Sequence, residues 1–338
     1  MFIYQIYIYL VNQSGKPICL FIMENNKRRD FLKLALLSAS SLPFIGFSNY
    51  PFEGIESDSK LSVSIFSKHL QFLDYYETGE MAAEMGFNGV DLTIRPHGHV
   101  LPEQVKNDLP KAVSAIRKAG SSCNLITTSI ESVSNPLDVD ILETASNLGI
   151  KYYRTNWFKY PKDNSMPDSL VLYQQEIRKL GNLNKELGLI GCYQNHAGRN
   201  VGASFWEIKR ILETVDPLYF GAQYDIRHAM VEGGYSWENG LELLHPHIKV
   251  IVLKDYKWGK IKGKWEALNV PIGEGMVDFD KYFKLLKRYN LNLPVSLHLE
   301  YDLGGAEKGN KEISIDKKVV FEAMKSDLSR VQQLWENA

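Results

Sequence analysis

Several things are scarce in this sequence, and each scarcity removes a class of explanation. Its 338 residues hold only 3 cysteines. Cys19, Cys123 and Cys192 show no CxxC spacing, and Cys19 falls in a segment read below as a leader. At most one disulfide remains, and neither a disulfide framework nor a zinc knuckle is inferred. Charge of one sign is also missing: 39 Lys and Arg stand against 40 Asp and Glu, a net charge of -1. That balance gives no electrostatic footprint for nucleic acid or an anionic membrane surface. No short repeat or low-complexity tract breaks the pattern. Apolar runs are short, and the one that opens the chain is interrupted by Asn12, Ser14, Gly15 and Pro17, which excludes an ordinary membrane span there. What remains is a composition of 44% apolar, 23% charged and 12% aromatic residues, as in a soluble α/β protein. The length suits one large barrel with a leader.

The leader has a pattern of its own. Lys27, Arg28 and Arg29 precede Phe31-Leu32-Lys33, an apolar stretch and then small residues. The run from Arg28 to Lys33 resembles a twin-arginine export signal. Met23 directly precedes it, so residues 1–22 are read as lying upstream of the true start. The signal then covers 23–48 and a short linker reaches 58. The expectation is export of a folded protein by the twin-arginine machinery, to the periplasm or to a membrane anchored by the uncleaved leader.

From residue 61 short apolar runs alternate with longer amphipathic ones. Strands are expected at 61–66, 88–94, 123–129, 152–157, 189–193, 219–224, 248–253 and 295–299. Helices are expected at 75–85, 102–118, 139–148, 170–187, 205–214, 237–244, 279–289 and 318–335. Gly86, Gly120, Gly149 and Gly188 stand where four of these helices should stop, as C-cap glycines do. Eight strand–helix units predict a single (β/α)8 TIM barrel over 59–338. Two irregular stretches, 254–278 and 301–317, belong to its C-terminal face.

Chemistry in such barrels gathers at the C-terminal strand ends. Here those ends carry Asp91, Arg95, His97 and His99; Thr127, Thr128 and Glu131; Arg154, Asn156 and Trp157; Gln194, Asn195 and His196; Asp225, Arg227 and His228; Lys254 and Asp255; His298, Glu300 and Asp302. So many ionisable groups on one rim exceed what polar loops supply. Asp225 also has a plain reading, as the cap of whatever follows strand six.

The motifs YQNH at 193–196, YDIRH at 224–228, LKD at 253–255, PIGEGMVDF at 271–279 and SLHLEYD at 296–302 resemble the xylose isomerase-like sugar phosphate isomerase/epimerase superfamily. The resemblance implies one divalent cation (Mn, Mg, Zn or Co), held by a Glu, an Asp, a His and a Glu on strands five to eight. Carried over, Asp225 and Glu300 are metal ligands. Gln194 stands in for the strand-five carboxylate, and Val252 occupies the place of the strand-seven His. His196, His298 or Glu274 would have to complete the set.

The chemistry implied is removal of a proton beside a carbonyl and its return elsewhere. Glu300 is the expected base, His228 the group that grips a hydroxyl or polarises the carbonyl, and Lys254 a positive charge where metal is weak. Trp157, Gln194, Asn195, His196, Arg227, His298 and His99 are the expected substrate contacts. Arg95, Arg154 and Arg227 suit a phosphate, but export points to an unphosphorylated sugar or polyol. Three readings stay open: an isomerase or epimerase of a free carbohydrate, a lyase or dehydratase on a keto-sugar, and a non-catalytic sugar-binding barrel. Barrel dimers leave no reliable mark in a sequence, so a homo-oligomer also stays open.

Overall fold

A computed structural model describes residues 60–338, together with Leu10–Val11 paired antiparallel to Pro17–Ile18. The twin-arginine pattern and the start at Met23 lie outside the described residues. Among the described residues no helix is long and apolar enough to cross a membrane.

Eight parallel strands close a barrel. They are β1 (Val63–Phe66), β2 (Gly89–Ile94), β3 (Ser122–Thr128), β4 (Tyr152–Arg154), β5 (Ile190–Gln194), β6 (Phe220–Asp225), β7 (Ile248–Leu253) and β8 (Val295–Leu297). Closure comes from β8, which pairs with β7 on one side and with β1 on the other. The surrounding helices are α1 (Tyr75–Met85), α2 (Val105–Lys118), α3 (Pro136–Asn147), α4 (Met166–Leu187), α5 (Phe205–Leu212), α6 (Ile226–Gly233), α7 (Trp237–Leu244), α8 (Phe279–Arg288) and α9 (Lys317–Asn337).

Local chemistry sets these boundaries. Asp74 accepts the N–H of Glu77 while the Glu77 side chain accepts that of Asp74, a capping box that starts α1. Gly86, at φ 93°, ends it in the left-handed region where a side chain would be strained. Alternation along the strands then sorts the interior. Leu125, Cys192 and Val250 form a small apolar cluster of their own. Two residues further along the same strands stand Thr127, Gln194 and Val252, all buried. The barrel is thus apolar at its floor and becomes polar toward the C-terminal rim.

Three details differ from the sequence reading. The fourth strand stops at Arg154, so Trp157 belongs to the loop beyond it. An extra helix, α6, follows β6 immediately. The stretch after β7 is not irregular: Asp255–Ile261 and Lys264–Val270 form an antiparallel hairpin. Its alternation was masked by the lysines along it.

Candidate active site

The rim is organised around the Lys254 ammonium group, which is 3% exposed. Its Nζ lies 3.1 Å from Asp225 Oδ2 and 3.1 Å from Glu300 Oε2. It also lies 2.9 Å from His228 Nε2. The other oxygen of Glu300 accepts from Lys68 Nζ at 2.9 Å. Burial alone would raise the Glu300 carboxyl, but the Lys254 and Lys68 charges outweigh it and hold the group well below the usual carboxylate range. Glu300 is therefore a carboxylate at neutral pH. Asp225 has the opposite balance. Burial raises its pKa, and Lys254 and the His228 N–H only oppose that rise.

Asp225 has two functions, one per oxygen. Oδ1 accepts the His228 N–H at 3.0 Å and so caps α6. Oδ2 faces Lys254 and accepts from Gln194 Nε2 at 2.8 Å. The plain reading of Asp225 as a cap holds for Oδ1, while Oδ2 is turned to the Lys254 cluster rather than to a metal.

His228 is buried between two donors. Lys254 is on its Nε2, and Arg227 Nη1 is 3.1 Å from its Nδ1. A protonated ring could accept from neither, and a neutral ring accepts from one of them. Burial, followed by the charge of Lys254, accordingly lowers its pKa well below the ordinary imidazole value. His196 packs on His228 with ring centroids 3.9 Å apart, and on Trp157 at 4.4 Å. Its Nδ1 lies 2.8 Å from the Ala197 carbonyl, so Nδ1 carries the hydrogen and Nε2 keeps a lone pair. Burial and Lys254 push its pKa down to about 4.

His298 lies deeper, stacked on Phe66 at 4.1 Å. Its Nε2 is 3.1 Å from Ser296 Oγ, which itself donates to Asp91 Oδ2 at 2.7 Å. Nε2 is therefore the donor, and Nδ1 is a buried lone pair with no protein partner. Asp91 also accepts from Thr127 Oγ1, and burial raises its pKa to about 6.

Other expected substrate contacts are occupied elsewhere. Asn195 donates to the Asp225 carbonyl at 2.9 Å and accepts the Asp225 N–H at 2.7 Å. Both ends of its amide thus fasten β5 to β6. Arg227 holds the hairpin, with Nε on Asn269 Oδ1 at 3.0 Å and Nη2 on the Ala267 carbonyl at 2.9 Å. His99 does not join the rim cluster. It packs against α1, with Nε2 3.4 Å from Thr78 Oγ1, and burial takes its pKa down to about 4. Gln194 bridges Arg154 Nη1, at 2.9 Å, to Asp225. Asp255 points away from Lys254 and accepts four backbone N–H groups, from Tyr256, Gly273, Gly275 and Val277. This is the physical content of the Gly-Glu-Gly motif, whose Glu274 is exposed.

Lys68 is the member of this charged cluster that the sequence reading missed. It sits in a 3-10 turn, Ser67–Leu70, directly after β1. The available signal was a lysine two residues beyond an apolar strand.

The residues do not fit a divalent cation. The strand-seven position is the aliphatic Val252, fully buried, and Gln194 is committed at both ends. The Lys254 ammonium itself lies among Asp225, Glu300 and His228, where a cation bound by those groups would stand. Among the described residues no group of three His, Cys, Asp or Glu side chains is arranged to hold a metal.

The family model described as a xylose isomerase-like TIM barrel matches residues 80–317. Inosose dehydratase of Clostridium botulinum (strain Alaska E43 / Type E3) is 29% identical over 141 residues, 37% of this chain and 45% of that protein. The chain therefore matches less than half the length of that relative. Among solved structures, D-psicose 3-epimerase with D-tagatose from Clostridium cellulolyticum H10 superposes with a TM-score of 0.61 at 13% identity, over 81% of this chain and 99% of that one. A xylose isomerase-like TIM barrel protein from Mycobacterium smegmatis in complex with magnesium gives 0.57 at 12% identity, over 79% and 98%. The closed eight-stranded barrel and the family match agree, and the chain belongs to the xylose isomerase-like TIM barrel family, in which epimerases and dehydratases are found.

Proposed function

We propose that this protein is an exported carbohydrate isomerase or epimerase that abstracts a proton beside a carbonyl. The observation that carries the reading is the Glu300 carboxylate, held ionised between Lys68 and Lys254 at the barrel mouth. Glu300 is ionised and so able to accept a proton, with its basicity lowered by the two ammonium groups beside it. Glu300 takes the proton, and the negative charge that develops on the carbonyl oxygen is stabilised by ammonium groups already in place, which need no reorganisation. The lone pairs on His196 Nε2 and His298 Nδ1 are the remaining groups able to receive or relay a proton. Trp157, in tilted contact with His196 and with Arg154 over its ring, offers an aromatic edge to a sugar.

The substrate is a small carbohydrate, and the twin-arginine pattern of Arg28 and Arg29 supports a reaction outside the cytoplasm. No step is assigned to a metal, because Lys254 supplies the charge. A lyase or dehydratase is the second reading, favoured by the likeness to inosose dehydratase. The same abstraction followed by loss of a β-hydroxyl would give it. Incubation with a panel of aldoses, ketoses and keto-sugars in deuterium oxide separates the two. Solvent deuterium at the carbon beside the carbonyl, with the carbon skeleton and hydroxyl count retained, is expected for the epimerase. Loss of water or of a glycosidic group identifies the lyase. Binding with neither exchange nor elimination leaves only a sugar-binding barrel and refutes the proposal.

A further inference from the structure

Cations at the barrel mouth outnumber the anions available to them. Arg95 follows β2 and Arg154 ends β4. The Arg95 guanidinium stands 5.4 Å from the Phe66 ring centroid. Among the described residues its side chain makes no hydrogen bond and no ion pair. Arg154 is 2% exposed. It donates one N–H to the neutral Gln194, lies 4.2 Å over Trp157, and keeps Nε buried without a partner. Neither arginine has a free carboxylate to pair with. Glu300 is taken by two lysines, and both oxygens of Asp91 are taken by the hydroxyls of Thr127 and Ser296. The two guanidinium groups also repel each other. Burial, with the charge of Arg95 added, brings Arg154 down to about 9.

Unpaired, partly desolvated charges of one sign are costly in a folded protein. A guanidinium fork matches a carboxylate or phosphate in two parallel hydrogen bonds. The positive character continues outward. Arg95 shares a cavity of about 740 Å³ with His97, Lys308 and Lys311, and no Asp or Glu lines it.

We infer that Arg95 and Arg154 form an anion subsite and that the substrate is an acidic sugar, bearing a carboxylate or a phosphate ester. Its acid group sits between the two arginines and its reacting carbon is turned toward Glu300. The inference rests on reading the barrel mouth as a carbohydrate site, and it goes further by naming the charge the ligand must bear.

The test is binding to the purified full chain, by calorimetry and thermal shift, of four probes: D-glucuronate, D-galacturonate, D-glucose 6-phosphate and neutral D-glucose. At least one charged probe is expected to bind about 10- to 100-fold more tightly than glucose, the worth of one charge-assisted hydrogen-bond pair. Arg95→Gln should remove that advantage and leave glucose binding unchanged. Arg154→Gln should act in the same way, and because Arg154 is buried, the half-exposed Arg95 variant keeps the test valid if Arg154→Gln does not fold. A uronate preference identifies a carboxylate and a glucose 6-phosphate preference a phosphate ester, and either supports the subsite. Equal binding of charged and neutral probes, no binding of any charged probe, or loss of both kinds of binding together in Arg95→Gln would overturn it. Failure of the two proposals can be told apart. Arginine-dependent anion binding without proton exchange sinks only the proton-abstraction reading. Turnover of a neutral sugar that Arg95→Gln leaves intact sinks only the subsite.

Discussion

Replacing Lys254 by Met removes one positive charge and keeps much of the side-chain volume. In the native protein that ammonium is within 3.1 Å of Asp225 and of Glu300 and 2.9 Å from His228. The variant leaves the Asp225 carboxylate, which is fully buried, with only Gln194 Nε2 and the His228 N–H as hydrogen-bond partners. Breaking a buried pair from one side costs about 3–5 kcal/mol. Loss of a preorganised charge at the reacting oxygen should lower turnover by roughly 10²- to 10³-fold. The pH dependence of stability should change as well. The folded-state pKa of Glu300 is lowered, so its stabilisation is present above the unfolded value of about 4.3 and is lost as pH falls through the native value. Lys254→Met should weaken that acid dependence without abolishing it, since Lys68 remains. Urea unfolding followed by circular dichroism at neutral and acid pH measures the first and third effects, and the deuterium-exchange assay measures the second. A variant within about 1 kcal/mol of the native protein, with turnover retained after treatment with a chelator, would show that Lys254 is a bystander.

Three further predictions follow from the same geometry. Glu300→Gln keeps the shape of the group and should reduce turnover by about 10²- to 10⁴-fold, the range for a lost general base, while sugar binding by calorimetry persists; unchanged turnover would remove Glu300 from the mechanism. Asp91 is raised to about 6 by burial, so its contribution to stability is present below pH ~4 and is lost as pH rises toward ~6, a change of roughly 3 kcal/mol. Asp91→Asn should therefore flatten the pH dependence of the melting temperature over that interval, and an unaltered profile would contradict the assignment. Combining Gln194→Glu, Val252→His and Lys254→Ala should convert the lysine-centred cluster into a carboxylate–histidine set that binds Mn or Zn at one equivalent by elemental analysis. The native chain should retain its melting temperature after dialysis against a chelator. Stoichiometric metal in the native protein would refute the replacement of a cation by Lys254.

The barrel was legible because its punctuation is local. Helix ends at Gly86, Gly120, Gly149 and Gly188 and apolar runs between them follow from backbone conformation and burial, which neighbouring residues reveal. Naming the rim residues was also within reach, since the position of a strand end limits which side chains can gather there. Their directions were not legible. Asn195, Arg227 and His99 stand beside residues that face the site, yet they bind backbone, hairpin and α1 respectively. A hydrogen-bond partner 30 or 42 positions away leaves no trace in local pattern. The hairpin after β7 was hidden for a related reason. Its outer part is exposed at Lys257, Lys260 and Lys264, and these lysines mask the apolar alternation that marks a half-buried strand.

The ion pair between Lys68 and Glu300 joins residues 232 positions apart, across the seam where the last strand meets the first. That seam is narrow: β8 pairs with β1 through Val295, Ser296 and Leu297 alone. The charge environment of Glu300 is therefore complete only in a closed cylinder. A chain in which β8 has paired with β7 but not yet with β1 carries Glu300 with one of its two counter-ions absent. Parting of these two strands in the finished molecule would separate Glu300 from Lys68. The charge environment of Glu300 and the closure of the barrel are thereby linked at one carboxylate.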